Sequence, residues 1–139
     1  MDERLGLLER LRHAVDDHDL DALVDCFASD YRNVTPAHPG RGFEGRDQVR
    51  ANWQQLFAGV PDITADVVRN AVDGQDVWSE WEMRGTRRDG QPHLMRGVIV
   101  FAVIDARFAS ARFYLEPVDP GEGGVDAAIR TIVEPGAQR

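Results

Sequence analysis

Residues 63–117 are divided by Asp73-Gly74, Asp89-Gly90 and a tight Asp105-Ala106 into runs of about ten residues each. An Asp-Gly pair between strand-like runs is a strong hairpin signal, because glycine takes up the left-handed backbone of such turns at little cost. The runs ITADVVRNAV, DVWSEWEMRGT, HLMRGVIVFAVI and RFASARFYLEPV therefore predict long antiparallel strands in meander order, of a length that suits a strongly curved sheet. In the third run Val98, Val100 and Ala102 alternate with Ile99, Phe101 and Val103. A strand apolar at both parities is buried on both faces and needs a cover on each.

The first half of the chain supplies one cover. Leu5, Leu8, Leu11 and Val15 recur at helical spacing over residues 3–17, with Leu7 and Ala14 widening the stripe. Asp19 is placed to cap a short second helix whose Leu20, Leu23, Val24 and Phe27 face inward. An extended piece at 31–35 and a Pro/Gly loop follow. A third helix over about 46–57 carries Val49, Trp53, Leu56 and Phe57 on one side and ends at GVPD, with Gly59 suited to a left-handed cap. Three N-terminal helices beside one antiparallel sheet make an α+β layer architecture. Helices on one face leave the other to a second copy of the chain, so a homodimer through the outer sheet face is expected. Residues 1–117 read as one domain. Residues 118–139 read as a tail in which Val125, Ala128, Ile129 and Ile132 mark a short amphipathic helix expected to pack back on that domain.

Charge and residue usage narrow the functions. The net charge of −8 argues against a nucleic-acid partner, which needs clustered positive charge. Asp2, Glu3, Glu9, Asp16, Asp17, Asp19, Asp21, Asp25 and Asp30 face only Arg4, Arg10 and Arg12 in the same stretch, as on a solvated helical surface. Every basic residue is arginine, so Schiff-base chemistry, a pyridoxal-phosphate anchor and a Walker-type phosphate loop have no lysine to use. A single cysteine, Cys26, sits among apolar helical neighbours as an inert thiol, and His13, His18, His38 and His93 show no metal-ligand spacing. No metal or cofactor is expected. No apolar run approaches the ~20 residues that span a bilayer, and the charged MDERLGLLER start resembles no export signal, so a cytoplasmic location without membrane contact is the expectation.

The element order, together with DLDALVDCFASDY, GFEGRDQVRANWQQLFAGVPD and DVWSEWEMRGTRRDGQP, resembles the SnoaL-like branch of the nuclear transport factor 2-like superfamily. That branch includes polyketide cyclases and is related to ketosteroid isomerases and limonene-epoxide hydrolases. The similarity runs from residue 5 to about 117. It implies a cone-shaped, cystatin-like roll in which a curved sheet wraps around the helices and encloses an apolar pocket open at one end. The fold hosts several chemistries, so the reaction has to be argued from the site.

Carried over residue by residue, most of the catalytic positions that the resemblance implies are lost. The isomerase base falls on Thr35, its oxyanion tyrosine on Leu11 and its protonated aspartate on Ile99; the acid of the cyclases and hydrolases falls on Phe113. One acid survives, because counting back from Gly90 sets the hydrolase's inward acid on Glu82 and its inward arginine on Glu80. The same parity turns Trp78 and Arg84 inward. Binary pattern alone gives the opposite face, with Val77, Trp81 and Met83 apolar and the glutamates wet. An inward pair about 7 Å apart would repel by roughly 2 kcal/mol at an effective dielectric of 20, leaving one acid and one base at neutral pH. Arg84 makes Glu82 the better base and Glu80 the better proton donor.

His93 completes the candidate catalytic set, as a partner for Glu82 or as a structural histidine. The candidate substrate-binding set is Asn33, Thr35, His38, Trp53, Trp78, Arg84, Met95, Ile99, Phe101, Phe113 and Leu115. The function these point to is a cofactor-free acid/base enzyme of isomerase, cyclase or hydrolase type, acting on a hydrophobic oxygenated small molecule. The alternative is a non-catalytic protein that binds such a ligand in the same cavity.

Overall fold

The computed structural model describes residues 2–135, so the last part of the 118–139 tail and the first residue of the 1–117 domain lie outside the described residues. Helix α1 (Glu3–Asp16) starts where the Asp2 carboxylate accepts from the Arg4 and Leu5 amides. Helix α2 (Leu20–Asp25) is capped by Asp19, whose side chain accepts from the Ala22 amide, as its sequence predicts. Between them His18 takes a left-handed backbone, φ 55°, and its ring stacks on Phe57 at 4.8 Å.

Strand β1 (Phe27–Val34) begins earlier than the sequence suggests. Phe27 is buried at its start rather than at the end of α2, because an aromatic at a helix end and one at a strand start carry the same burial signal. A 3₁₀ turn (Pro39–Arg41) and the short β2 (Phe43–Glu44) follow. Helix α3 (Arg46–Gly59) runs through Gly59, which is its last helical residue; Val60, at φ −129° and ψ 77°, caps it, so the expected left-handed glycine cap is absent.

The remaining strands are β3 (Thr64–Asp73), β4 (Asp76–Thr86), β5 (Pro92–Ile104) and β6 (Arg107–Pro117). Gly74 and Gly90 take the positive φ that their turns require, and Asp105 and Ala106 both do so in the last one. Together the strands form one curved sheet in the order β2-β1-β6-β5-β4-β3. The meander is antiparallel as expected, but β1 pairs with β6 in parallel, so the sheet is mixed. The segment between β1 and β3 carries the chain across the concave face, and β2 and β3 form the two edges of the sheet.

Gly97 helps bend the sheet. At φ 153° it lies between Trp81 and Leu115, and a Cβ there would stand 2.1 Å from the Tyr114 carbonyl oxygen. The bare backbone lets β6 approach β5 closely. Register shifts in β3 between Val67 and Arg69 and between β5 and β6 at Ala102/Val103 add curvature. Inside the bend Leu8, Leu11 and Val15 of α1 and Leu23 of α2 pack on Val77, Trp81, Phe101 and Phe108. Asp16 ties α1 to the sheet by accepting from the Ala65 amide at 2.8 Å.

Helix α4 (Val125–Val133) forms where the periodicity predicts, and none of its residues is buried. Val125 is 74% exposed, Ile129 52% and Val133 66%. Among the described residues no helix is long and apolar enough to cross a membrane.

Candidate functional site

A cavity of about 260 Å³ lies between the helices and the concave side of the sheet. Leu11 and Val15 of α1 and Val49, Trp53 and Leu56 of α3 form its helical side. The sheet contributes Trp81 and Met83 from β4, Met95, Ile99 and Phe101 from β5, and Phe113 and Leu115 from β6. Strand β1 and the residue that follows it supply the polar part. Tyr31, Asn33 and Thr35 stand two apart, so they share the inner face.

These three side chains form a hydrogen-bonded string. The Tyr31 hydroxyl donates to Asn33 Oδ1 at 2.8 Å, and Asn33 Nδ2 donates to Thr35 Oγ1 at 3.2 Å. All three residues are buried, and burial raises the Tyr31 phenol well above its ordinary range, so it remains a proton donor. With its oxygen already accepting, the Thr35 hydroxyl can donate to a further acceptor in the cavity. Such a string in apolar surroundings is strengthened by the low local dielectric.

Trp81 gains its buried position from its neighbours. Its indole N–H donates to Ser79 Oγ at 2.8 Å, the Ser79 hydroxyl donates to the Ile99 carbonyl at 2.8 Å, and the opposite residue is Gly97. At the mouth, His93, Arg41 and Asn52 join the lining. Burial, and secondarily the charge of Arg87, hold the half-buried His93 below the usual imidazole range, which favours the neutral ring. Among the described residues that line the cavity, none is Asp or Glu.

Of the residues expected from the sequence, Asn33, Thr35, Trp53, His93, Met95, Ile99, Phe101, Phe113 and Leu115 line this cavity. Glu80, Glu82, Trp78 and Arg84 do not. The pairing of Thr86 with Pro92 leaves the odd-numbered loop 87–91 and sets Met83 opposite Met95 and Ser79 opposite Ile99. Directly opposed side chains share a face, so an inward odd parity on β5 requires an inward odd parity on β4. A slip of one residue reverses every side chain, and counting back from Gly90 made that slip.

The glutamates instead form a surface ion-pair layer on the convex side. Glu82 bridges Arg84 and Arg96, reaching Arg96 Nε at 2.8 Å, and Glu80 meets Arg69 Nε at 3.3 Å. Trp78 is 50% exposed on the same side. His93 consequently has no glutamate partner. His38 lies beside the cavity rather than in it, with Nε2 2.9 Å from Glu116 Oε1.

Tyr31, Arg41, Asn52, Trp81 and Met83 line the cavity without having been anticipated as site residues. Tyr31 was legible from its two-residue spacing to Asn33 and Thr35, and Trp81 and Met83 from binary pattern. Arg41 and Asn52 lie at the mouth, where periodicity is uninformative. Cys26 is buried as expected, and its thiol is pushed up to about 11 by that burial. No group of three or more potential metal ligands occurs among the described residues.

A family model described as the SnoaL-like domain matches residues 8–111. No curated protein matches the sequence significantly. Among solved structures, the chain is similar to wild-type IdmH, a proposed polyketide cyclase from Streptomyces antibioticus. The TM-score is 0.72 at 23% identity, over 83% of this chain and 93% of that one. It is similar to an epoxide hydrolase of limonene-epoxide-hydrolase type from M. tuberculosis, with TM-score 0.70 and 18% identity over 82% and 83%. A hypothetical protein with a ketosteroid isomerase-like fold from Catenulispora acidiphila, in complex with trimethylamine, gives TM-score 0.68 and 17% identity over 78% and 84%. At these identities the likeness is one of fold.

Proposed function

The chain belongs to the SnoaL-like family, and from that premise we propose that it binds a small hydrophobic molecule bearing a carbonyl or hydroxyl oxygen in the cavity beneath α1 and α3. The observation that carries this reading is the Tyr31–Asn33–Thr35 string, a directed line of donors in an otherwise largely apolar chamber. A few placed polar groups in an apolar pocket are what small-molecule recognition requires. The apolar wall takes the ligand's body, and Thr35 donates to its oxygen. The carboxylate pair has no part in this, since Glu80 and Glu82 are spent on surface arginines.

Native mass spectrometry of the purified protein, followed by calorimetry with bicyclic ketones and alcohols, tests the reading. Met95→Trp should fill the chamber and abolish binding while leaving the melting temperature close to that of the parent. Absence of both retained ligand and calorimetric binding at millimolar concentration would overturn the proposal.

His93 favours a second reading, cofactor-free proton transfer on the bound molecule. A largely neutral imidazole at the cavity wall is a competent general base. Its signature would be deuterium uptake from solvent next to the carbonyl of a bound ketone, lost in His93→Gln. Uptake at the same rate in that variant would exclude His93 as the base. For the convex face, Val68, Trp78 and Tyr114 stay exposed over partly covered Val98; we infer that a second copy covers them, making a homodimer back to back.

A further inference from the structure

We propose that the ligand is an amphipathic acid, its hydrophobic body in the cavity and its carboxylate at the mouth on Arg41. This inference rests on the ligand-binding reading above and names the ligand class. The chain carries a net charge of −8, yet the charged or titratable side chains that line the cavity mouth, Arg41 and His93, are basic. Arg87 lies close enough to His93 to depress its protonation.

Arg41 is brought there by local folding. The chain reverses after Thr35 through hydrogen bonds from the His38 amide to the Thr35 carbonyl and from the Arg41 amide to the His38 carbonyl, both 2.9 Å. Phe43 pairs with Asn33 two residues further on. That register returns Arg41 to the neighbourhood of Thr35, where the polar string ends.

Glu116 shows what chemistry the rim accepts. Its carboxylate sits 2.9 Å from His38 Nε2 and only 3.7 Å from Arg41 Nη1. The second distance is beyond hydrogen-bond length, so Arg41 is weakly held and its donors remain available. A guanidinium binds a carboxylate through paired N–H donors, which makes arginine the residue suited to this head group. A ligand acid would take the arginine while Glu116 keeps His38.

Calorimetry with octanoate and with 2-naphthoate, each against its methyl ester at low ionic strength, tests the assignment. The acids should bind about tenfold tighter than the esters, the difference one charge-assisted pair supplies. Arg41→Gln should bring that ratio close to one, and Arg41→Lys should keep part of it. Glu116→Gln, which removes the competing carboxylate, should raise it, an effect that a merely structural Arg41 would not produce. Esters binding as tightly as acids, or a ratio unmoved by Arg41→Gln in a folded variant, would overturn the inference while leaving the cavity reading in place. Failure of acids and esters alike would remove both.

Discussion

Gly97 is the residue on which the curvature of the sheet rests most directly. Alanine there would drive a methyl group into the Tyr114 carbonyl and the Leu115 backbone, at a positive φ that L residues rarely adopt. Gly97→Ala is expected to cost at least ~2 kcal/mol, read as a lower urea midpoint; an unchanged midpoint would show that β5 and β6 can separate freely. His93 gives a pH signature. Its folded-state affinity for protons lies below the unfolded value of 6.5, so the unfolded chain binds more protons as pH falls through that value. Stability is therefore full above it and declines as pH drops toward the folded-state value. His93→Gln should flatten that decline in thermal melts between neutral pH and pH 5. Equal slopes in the two proteins would assign the decline to other groups.

At the scale of elements, the sequence disclosed most of the fold because its signals were local. Asp19 caps its helix, Asp73-Gly74 and Asp89-Gly90 turn their hairpins, and the strands lie between. It was less informative where the outcome depended on non-local pairing. The parallel match of β1 with β6 leaves no mark in either strand's composition. The facing of β4 depends on the parity of the loop at 87–91, which decides whether Trp81 or Glu82 meets the cavity. For the site, the strand positions were readable from alternation, whereas Arg41 and Asn52 depend on how a loop and a helix converge at the mouth. Helix α4 belongs to the same lesson, because amphipathic spacing predicted the helix without showing that none of its residues is buried. A chain ending at Val118 is expected to melt within ~0.5 kcal/mol of the full-length protein, the range for surface changes. A larger loss would mean that α4 packs on the domain in solution.

At the scale of the molecule, the sheet separates two environments. Its concave side holds the cavity, and its convex side carries Trp78, Val68 and Tyr114 among the Glu80/Glu82 ion pairs. The proposed dimer predicts that Trp78→Arg, which introduces a charge at its centre, yields a folded monomer in analytical ultracentrifugation at micromolar concentration, where the parent sediments as a dimer. A parent that sediments as a monomer would dismiss the pairing and leave the cavity reading untouched. The tryptophans are divided between these compartments: Trp53 and Trp81 at the chamber, Trp78 on the opposite face. Intrinsic emission thus comes from dry and wet indoles at once. Quenching of its blue component would track occupancy, and a blue shift of its red component would track association, so one unlabelled sample can report the two events separately.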